Sequence, residues 1–119
     1  MITITGAEIT EAVAKIAIKA NYDLGNDVYQ CIKNCRQKEK SPTGKDILDQ
    51  LIKNADIARE EEVPICQDCG LAVVFAEVGQ EVQIEGDFET AVNDGIIKGY
   101  DKGYLRKSTC TVLTRENYG

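Results

Sequence analysis

Pro64 separates two kinds of apolar pattern, and a fold for this chain must satisfy both. Before it, apolar residues recur at spacings of three and four. After it comes a nearly unbroken run, Leu71 to Val78, rich in Val, Ala and Phe. The first pattern belongs to amphipathic helices and the second to a buried strand. The class that follows is α+β: a three-helix segment at the N-terminus, then a short β-hairpin and a further helix.

The helix starts are legible. Thr5-Gly6-Ala7-Glu8 reads as a capping box, with Ile4 and Ile9 placed as a hydrophobic staple. The helix behind it puts Ile9, Val13, Ile16 and Ala20 on one face. Asn21 to Asn26 breaks it, and Asn26 is placed to cap a second helix with Val28, Cys31, Ile32 and Cys35 on its apolar face. Ser41-Pro42 supplies an N-cap and a proline at N1 for a third, with Ile47, Leu48, Leu51, Ile52 and Ala55 on one side. Glu60-Glu61-Glu62 reads as its solvated end. Beyond the apolar run, Gly79-Gln80 suggests a turn and Glu81 to Glu85 alternates like an exposed strand, completing the expected hairpin. Gly86-Asp87 opens a fourth helix. Its face is Phe88, Ala91, Val92, Gly95, Ile96 and Gly99, and Gly103 is placed as its stop. From Tyr104 the chain reads as extended and polar.

Composition narrows function. At 119 residues the chain is at most one domain, yet long enough to bury a core without metal or disulfide. A net charge of −6 argues against nucleic-acid binding, which needs a Lys/Arg surplus. No stretch approaches about 18 apolar residues, and the N-terminus lacks the pattern of a signal peptide. Five cysteines without an export signal fit a reducing cytoplasm. Histidine is absent, so no His-based triad or ligand can come from this chain.

The cysteines allow several chemistries. Cys31 and Cys35 lie one turn apart and read as small buried hydrophobes. With Cys66 and Cys69 they form C-x3-C…C-x2-C, nominally a four-cysteine zinc set, although a whole helix fills the spacer. Cys66 and Cys69 alone could be a redox dithiol, but such pairs usually open a helix after a strand, the reverse of the order here. Cys66 could also be one corner of an iron–sulfur cluster whose other ligands lie far away in sequence.

The stretch PICQDCG, followed by AVVFAEVGQEVQIEG, resembles the PICQDTG segment of the class I (iron–sulfur) fumarase and L-tartrate dehydratase alpha-subunit family. GYLRKSTCTVLTRENYG is similar to that family's LRKS…PLTRKNTG segment, and SPTGKDILDQLIKNADIA to its helix before the cysteine. The match runs in order along essentially the whole chain. Three positions depart: Cys69 stands where the family usually has Thr, Thr111-Val112 where relatives often have Asp-Pro, and Tyr118 where they have Thr.

The resemblance implies a [4Fe–4S] hydro-lyase that adds or removes water on a small dicarboxylate such as fumarate or malate. Cys66 is then a cluster ligand, Gln67 and Asp68 approach substrate or the open iron, and Arg106 grips a substrate carboxylate. A guanidinium suits a carboxylate through its two-pronged geometry. The remaining cluster cysteines, a histidine and the general base are expected beyond this stretch or in a partner subunit, a beta-type subunit or C-terminal domain, in an oligomer. On this reading residues 1–119 are a single partial catalytic domain, with a helical part at 1–62 and a part at 63–119 carrying the cluster loop, hairpin and substrate arginine. The isolated chain is expected to be inactive. The alternatives are a non-catalytic assembly fragment of such an enzyme and a small cysteine-type zinc protein.

Overall fold

The computed structural model describes residues 1–117. In chain order these form β1 (Ile2–Thr5), α1 (Gly6–Tyr22), α2 (Asn26–Lys38), α3 (Pro42–Glu61), β2 (Val82–Glu85) and α4 (Phe88–Lys102). The mixed helix-and-strand class expected from the sequence is observed, with all four helices. The chain divides into two compact units, one made of Met1–Ile18 and Asp68–Gly119, the other of Lys19–Gln67.

In the first unit the strand pairing corrects the expected hairpin. Glu81 to Glu85 does not pair with Leu71 to Val78; β2 lies parallel to β1 at the N-terminus. The register sets Ile2 beside Val82 and Ile4 beside Ile84, with Thr3 beside Gln83 and Thr5 beside Glu85. Both strands alternate, so one register matches apolar with apolar and polar with polar. Leu71 to Val78 lacks that alternation and specifies no such register. It forms no strand among the described residues, and Leu71, Val73 and Phe75 are 80%, 73% and 94% exposed. The turn at Gly79 does form, with the Val82 N–H donating to the Gly79 carbonyl at 3.1 Å.

Thr5 ends β1 and caps α1. Its N–H donates to Glu8 Oε2 at 2.8 Å, and the Glu8 N–H donates to Thr5 Oγ1 at 3.3 Å, the two reciprocal bonds of a capping box. Ile4 and Ile9 line one shallow cavity with Val82, Ile84 and Phe88. The buried face of α1, however, is Val13, Ala14 and Ala17; Ile16 and Ala20, expected inside, are exposed. The cause lies on α4. A Cβ at Gly95 would fall 2.6 Å from Val13 Cβ and 2.8 Å from the Thr10 carbonyl oxygen, and one at Gly99 2.9 Å from the Ala14 carbonyl oxygen. The two backbones approach so closely that α1 must turn its small residues inward. Thr10 Oγ1 secures the contact by donating to the Ala91 carbonyl at 2.8 Å. Asp87 caps α4 by accepting from the Thr90 N–H at 2.7 Å, and Gly103 ends it as expected.

In the second unit α2 packs on α3 through a mixed contact. Tyr29 is buried and donates its hydroxyl to Asp56 at 2.7 Å, with Lys33 and Arg59 over its ring at 5.0 and 5.3 Å. Arg36 grips Asp49 with two bonds of 2.8 and 3.0 Å, and Ala55 and Ala58 are buried opposite. Tyr29 therefore occupies the interface, and the expected apolar face is displaced: Cys31, Cys35 and Val28 are exposed. The expected cap also shifts by one residue. Gly25, at a φ of 83°, is the N-cap, and Asn26 is the first residue of α2. Ser41 and Pro42 begin α3 as read from the sequence, and Glu62 ends it in a left-handed conformation at a φ of 53°, among exposed acidic neighbours.

Candidate functional site

Pro64 bars any continuation of α3, and the chain passes into the loop that carries the expected site. The boundary between the two units falls within that motif, after Gln67.

On the Lys19–Gln67 side, two asparagines organise the loop. The Ile65 N–H donates to the Asn21 carbonyl at 2.8 Å, and the Gln67 side-chain amide to Asn21 Oδ1 at 3.2 Å. The Cys66 N–H donates to Asn54 Oδ1 at 3.0 Å, and the Gln67 N–H reaches back to the Ile65 carbonyl at 2.8 Å. The backbone at Cys66 is thus fixed while its thiol is exposed. Cys31 and Cys35 lie in this same unit, and among the described residues no group of three or more His, Cys, Asp or Glu side chains is placed to hold a metal ion. The cysteines of the four-cysteine zinc reading are therefore not gathered into a ligand group among the described residues.

On the other side, Asp68 begins a segment fastened to α4 and to the residues after it. Asp68 Oδ1 accepts from the Ser108 hydroxyl, and also from the Gly70 N–H at 3.1 Å. The Tyr100 hydroxyl donates to the Cys69 carbonyl at 2.6 Å, and the Thr109 hydroxyl to the Gly70 carbonyl at 3.1 Å. The Ser108 bond, then the Gly70 N–H, and more weakly the positive field of Arg106 hold the Asp68 carboxyl below its ordinary value. Burial pushes the Tyr100 hydroxyl up, with Cys69 and Asp68 adding to the effect. Arg106 is exposed and, among the described residues, has neither a hydrogen bond nor an ion pair. Its neighbour Lys107 pairs with Asp101. A cavity of about 130 Å³ adjoins this segment, lined by Gly70, Leu71, Ile96, Tyr100, Lys107 and Thr109 among others, but not by Asp68 or Arg106. Asp68 and Arg106, the two charged residues of the expected site, are both exposed. Cys110 forms an isolated antiparallel bridge with Asn117, and Tyr118 lies outside the described residues.

Residues 10–119 match the family described as fumarate hydratase (fumerase). The chain belongs to the fumarate hydratase family. Among relatives, a Methanocaldococcus jannaschii protein provisionally named L(+)-tartrate dehydratase subunit alpha is 30% identical over 93% of this chain and 40% of its own length. The aerobic class I fumarate hydratase of Escherichia coli is 36% identical over 61% of the chain and 13% of its own length. The Escherichia coli L(+)-tartrate dehydratase subunit alpha is 25% identical over 94% and 37%. The chain therefore spans 40% or less of the length of these relatives.

Cys66 offers one exposed thiol, the kind of side chain that can hold a metal, and the described residues hold no complete ligand set. Sequence reasoning singled out Cys66, Gln67, Asp68 and Arg106. The structure brings Asp68 within the field of Arg106, and Cys66 and Gln67 onto one asparagine-clamped turn. Sequence reasoning missed Asn21, Asn54, Tyr100, Ser108 and Thr109. Ser108 closes the LRKS motif and Asn54 sits in the NADIA pattern, so both stood in stretches already marked; no pattern pointed to Tyr100.

Proposed function

We propose that this chain forms part of a hydro-lyase that reversibly adds water to a small dicarboxylate of the fumarate/malate type. Arg106 takes one substrate carboxylate, and Gln67 and Asp68 contact substrate or the water that is exchanged. Cys66 supplies one thiolate to a [4Fe–4S] cluster, whose other ligands come from a C-terminal domain or a beta-type subunit. The names of the relatives, an alpha subunit among them, support such a partner. When bound, the cluster supplies an open iron that polarises a hydroxyl or carboxylate oxygen.

The observation that carries the reading is the Ser108–Asp68 hydrogen bond, which ties the PICQD and LRKS segments together across a separation of 40 residues. Asp68 lies within the field of Arg106, which has no ion pair among the described residues, and that guanidinium can take a substrate carboxylate with two parallel bonds. Asp68 also repels a dianion, which suits contact with a hydroxyl or water rather than with the carboxylates themselves. A cytoplasmic location fits five unpaired thiols, and no helix among the described residues is long and apolar enough to cross a membrane.

Steady-state kinetics of the assembled enzyme test this. Arg106→Ala is expected to raise KM for the dicarboxylate roughly tenfold or more, with a smaller change in kcat, the loss of one charge-assisted contact. Unchanged KM and kcat would sink the assignment. For the chain alone, anaerobic treatment with iron and sulfide is expected to leave no stable cluster absorbance and no fumarate hydration.

A further inference from the structure

Asp68 is held in an asymmetric way. Both donors that reach it, the Ser108 hydroxyl and the Gly70 N–H, bond the same oxygen, Oδ1. Oδ2 has no hydrogen bond among the described residues, and the side chain is exposed. The Gly70 bond is local, spanning two residues, and by itself ties the carboxylate only to its own loop. The Ser108 bond comes from a different segment, whose Thr109 also bonds the Gly70 carbonyl, while Tyr100 of α4 bonds the Cys69 carbonyl. The loop is thus held at successive residues, and its carboxylate is turned with one oxygen engaged and the other presented.

We propose that Ser108 is a positioning residue that fixes Asp68 so that Oδ2 is offered to substrate or to the exchanged water. The inference rests on the proposed role of Asp68 and deepens it. A carboxylate on a free side chain samples several rotamers, and only some meet a substrate held by Arg106. A second donor from outside the loop selects among them before substrate arrives, so less ordering remains for the binding step. Ser108 need not touch substrate for this, and its effect must pass through Asp68.

A double-mutant cycle on the assembled enzyme tests it, with melting temperature measured for each variant. Ser108→Ala is expected to lower kcat/KM about tenfold with little change in melting temperature, the size of one lost hydrogen bond to a charged group. Ser108→Thr, which keeps the hydroxyl, is expected to restore most of that loss. Added to Asp68→Asn, Ser108→Ala is expected to cost less than about twofold more, because the group it positions is already changed. If Ser108→Ala does not fold, Ser108→Cys, close in shape but a weak donor, takes its place in the cycle. Wild-type kinetics in the serine variant would overturn the proposal, as would an equal loss in both backgrounds, which would mark a role in the fold alone. Wild-type kinetics in Asp68→Asn would be a different failure, that of the substrate-binding reading itself.

Discussion

The unit built on β1, β2, α1 and α4 and the unit built on α2 and α3 are held by different means. In the first, α1 and α4 meet backbone to backbone at Gly95 and Gly99, and the residues turned inward are small. In the second, the helices meet around a tyrosine whose ring carries two cations and whose hydroxyl bonds a carboxylate, flanked by a two-bonded arginine–aspartate pair. Close backbone approach leaves no room for error in volume but depends little on charge. A contact spread over long polar side chains tolerates changes in volume and depends on charge state. The two halves of the PICQD motif inherit the contrast: Cys66 and Gln67 hang from side-chain amides, whereas Asp68 to Gly70 hang from hydroxyls beside the glycine-packed helix.

The contrast is tested most severely at Gly95. Gly95→Ala puts a methyl carbon 2.6 Å from Val13 Cβ, with a backbone oxygen at 2.8 Å that cannot swing away. The expected loss is about 1–3 kcal/mol or more, read as a fall in melting temperature, even though alanine favours helix. A neutral or stabilising result would mean that the two helices are not in close contact. In the other unit, Tyr29→Phe keeps the ring and its cations and leaves Asp56 without its donor. A smaller fall is expected, with hydrogen exchange increasing in α2 and α3 before α1 and α4.

Acid is expected to separate the two units as well. The Asp49 carboxyl is held down by the Arg36 guanidinium, and Asp23 by the Gly25 N–H and then Arg59. A carboxylate with a lowered folded value stabilises the fold fully above its unfolded value and loses that contribution as pH falls through the folded one. Protection of α2 and α3 is therefore expected to hold above the ordinary aspartate value of 3.8 and to decline below it. Asp87 and Glu8 follow the same rule but cap single helix ends, so α1 and α4 should resist acid longer as a pair. Simultaneous loss of protection in all four helices would break the distinction. The smallest effect is expected at Phe75, which is 94% exposed: Phe75→Ser should change stability by less than about 0.5 kcal/mol.

What the sequence disclosed was mostly local. Thr5 with Glu8, Ser41 with Pro42, and Asp87 each mark a helix start through bonds that span three residues, so their signals sit within a few letters. The faces of the helices were less legible. Ile16 is more apolar than Ala17, yet Ala17 is inside, because glycines about 80 positions away set the distance. Cys31 and Cys35 gave way to Tyr29 for the same kind of reason: the partner carboxylate at Asp56 is distant in sequence. The apolar run after Pro64 suggested a strand by composition, but pairing needs a register, and the matching alternation lay in the four residues Ile2–Thr5. At the candidate site, residue types and spacing marked the carboxylate and the arginine. The bond from outside the loop that reaches Asp68 comes from a serine hydroxyl, and the one that holds the next residue's carbonyl comes from a tyrosine; such residues are common everywhere in proteins and acquire meaning only in three dimensions.

In the proposed function Cys66, not the C-x-x-C pair as a unit, is the cluster ligand. The direct test is iron and sulfide content together with fumarate hydration in the anaerobically reconstituted assembled enzyme bearing Cys66→Ser or Cys69→Thr. Cys66→Ser is expected to lose most of the cluster and the turnover, whereas Cys69→Thr is expected to keep both. Full cluster content and turnover in Cys66→Ser would contradict the assignment.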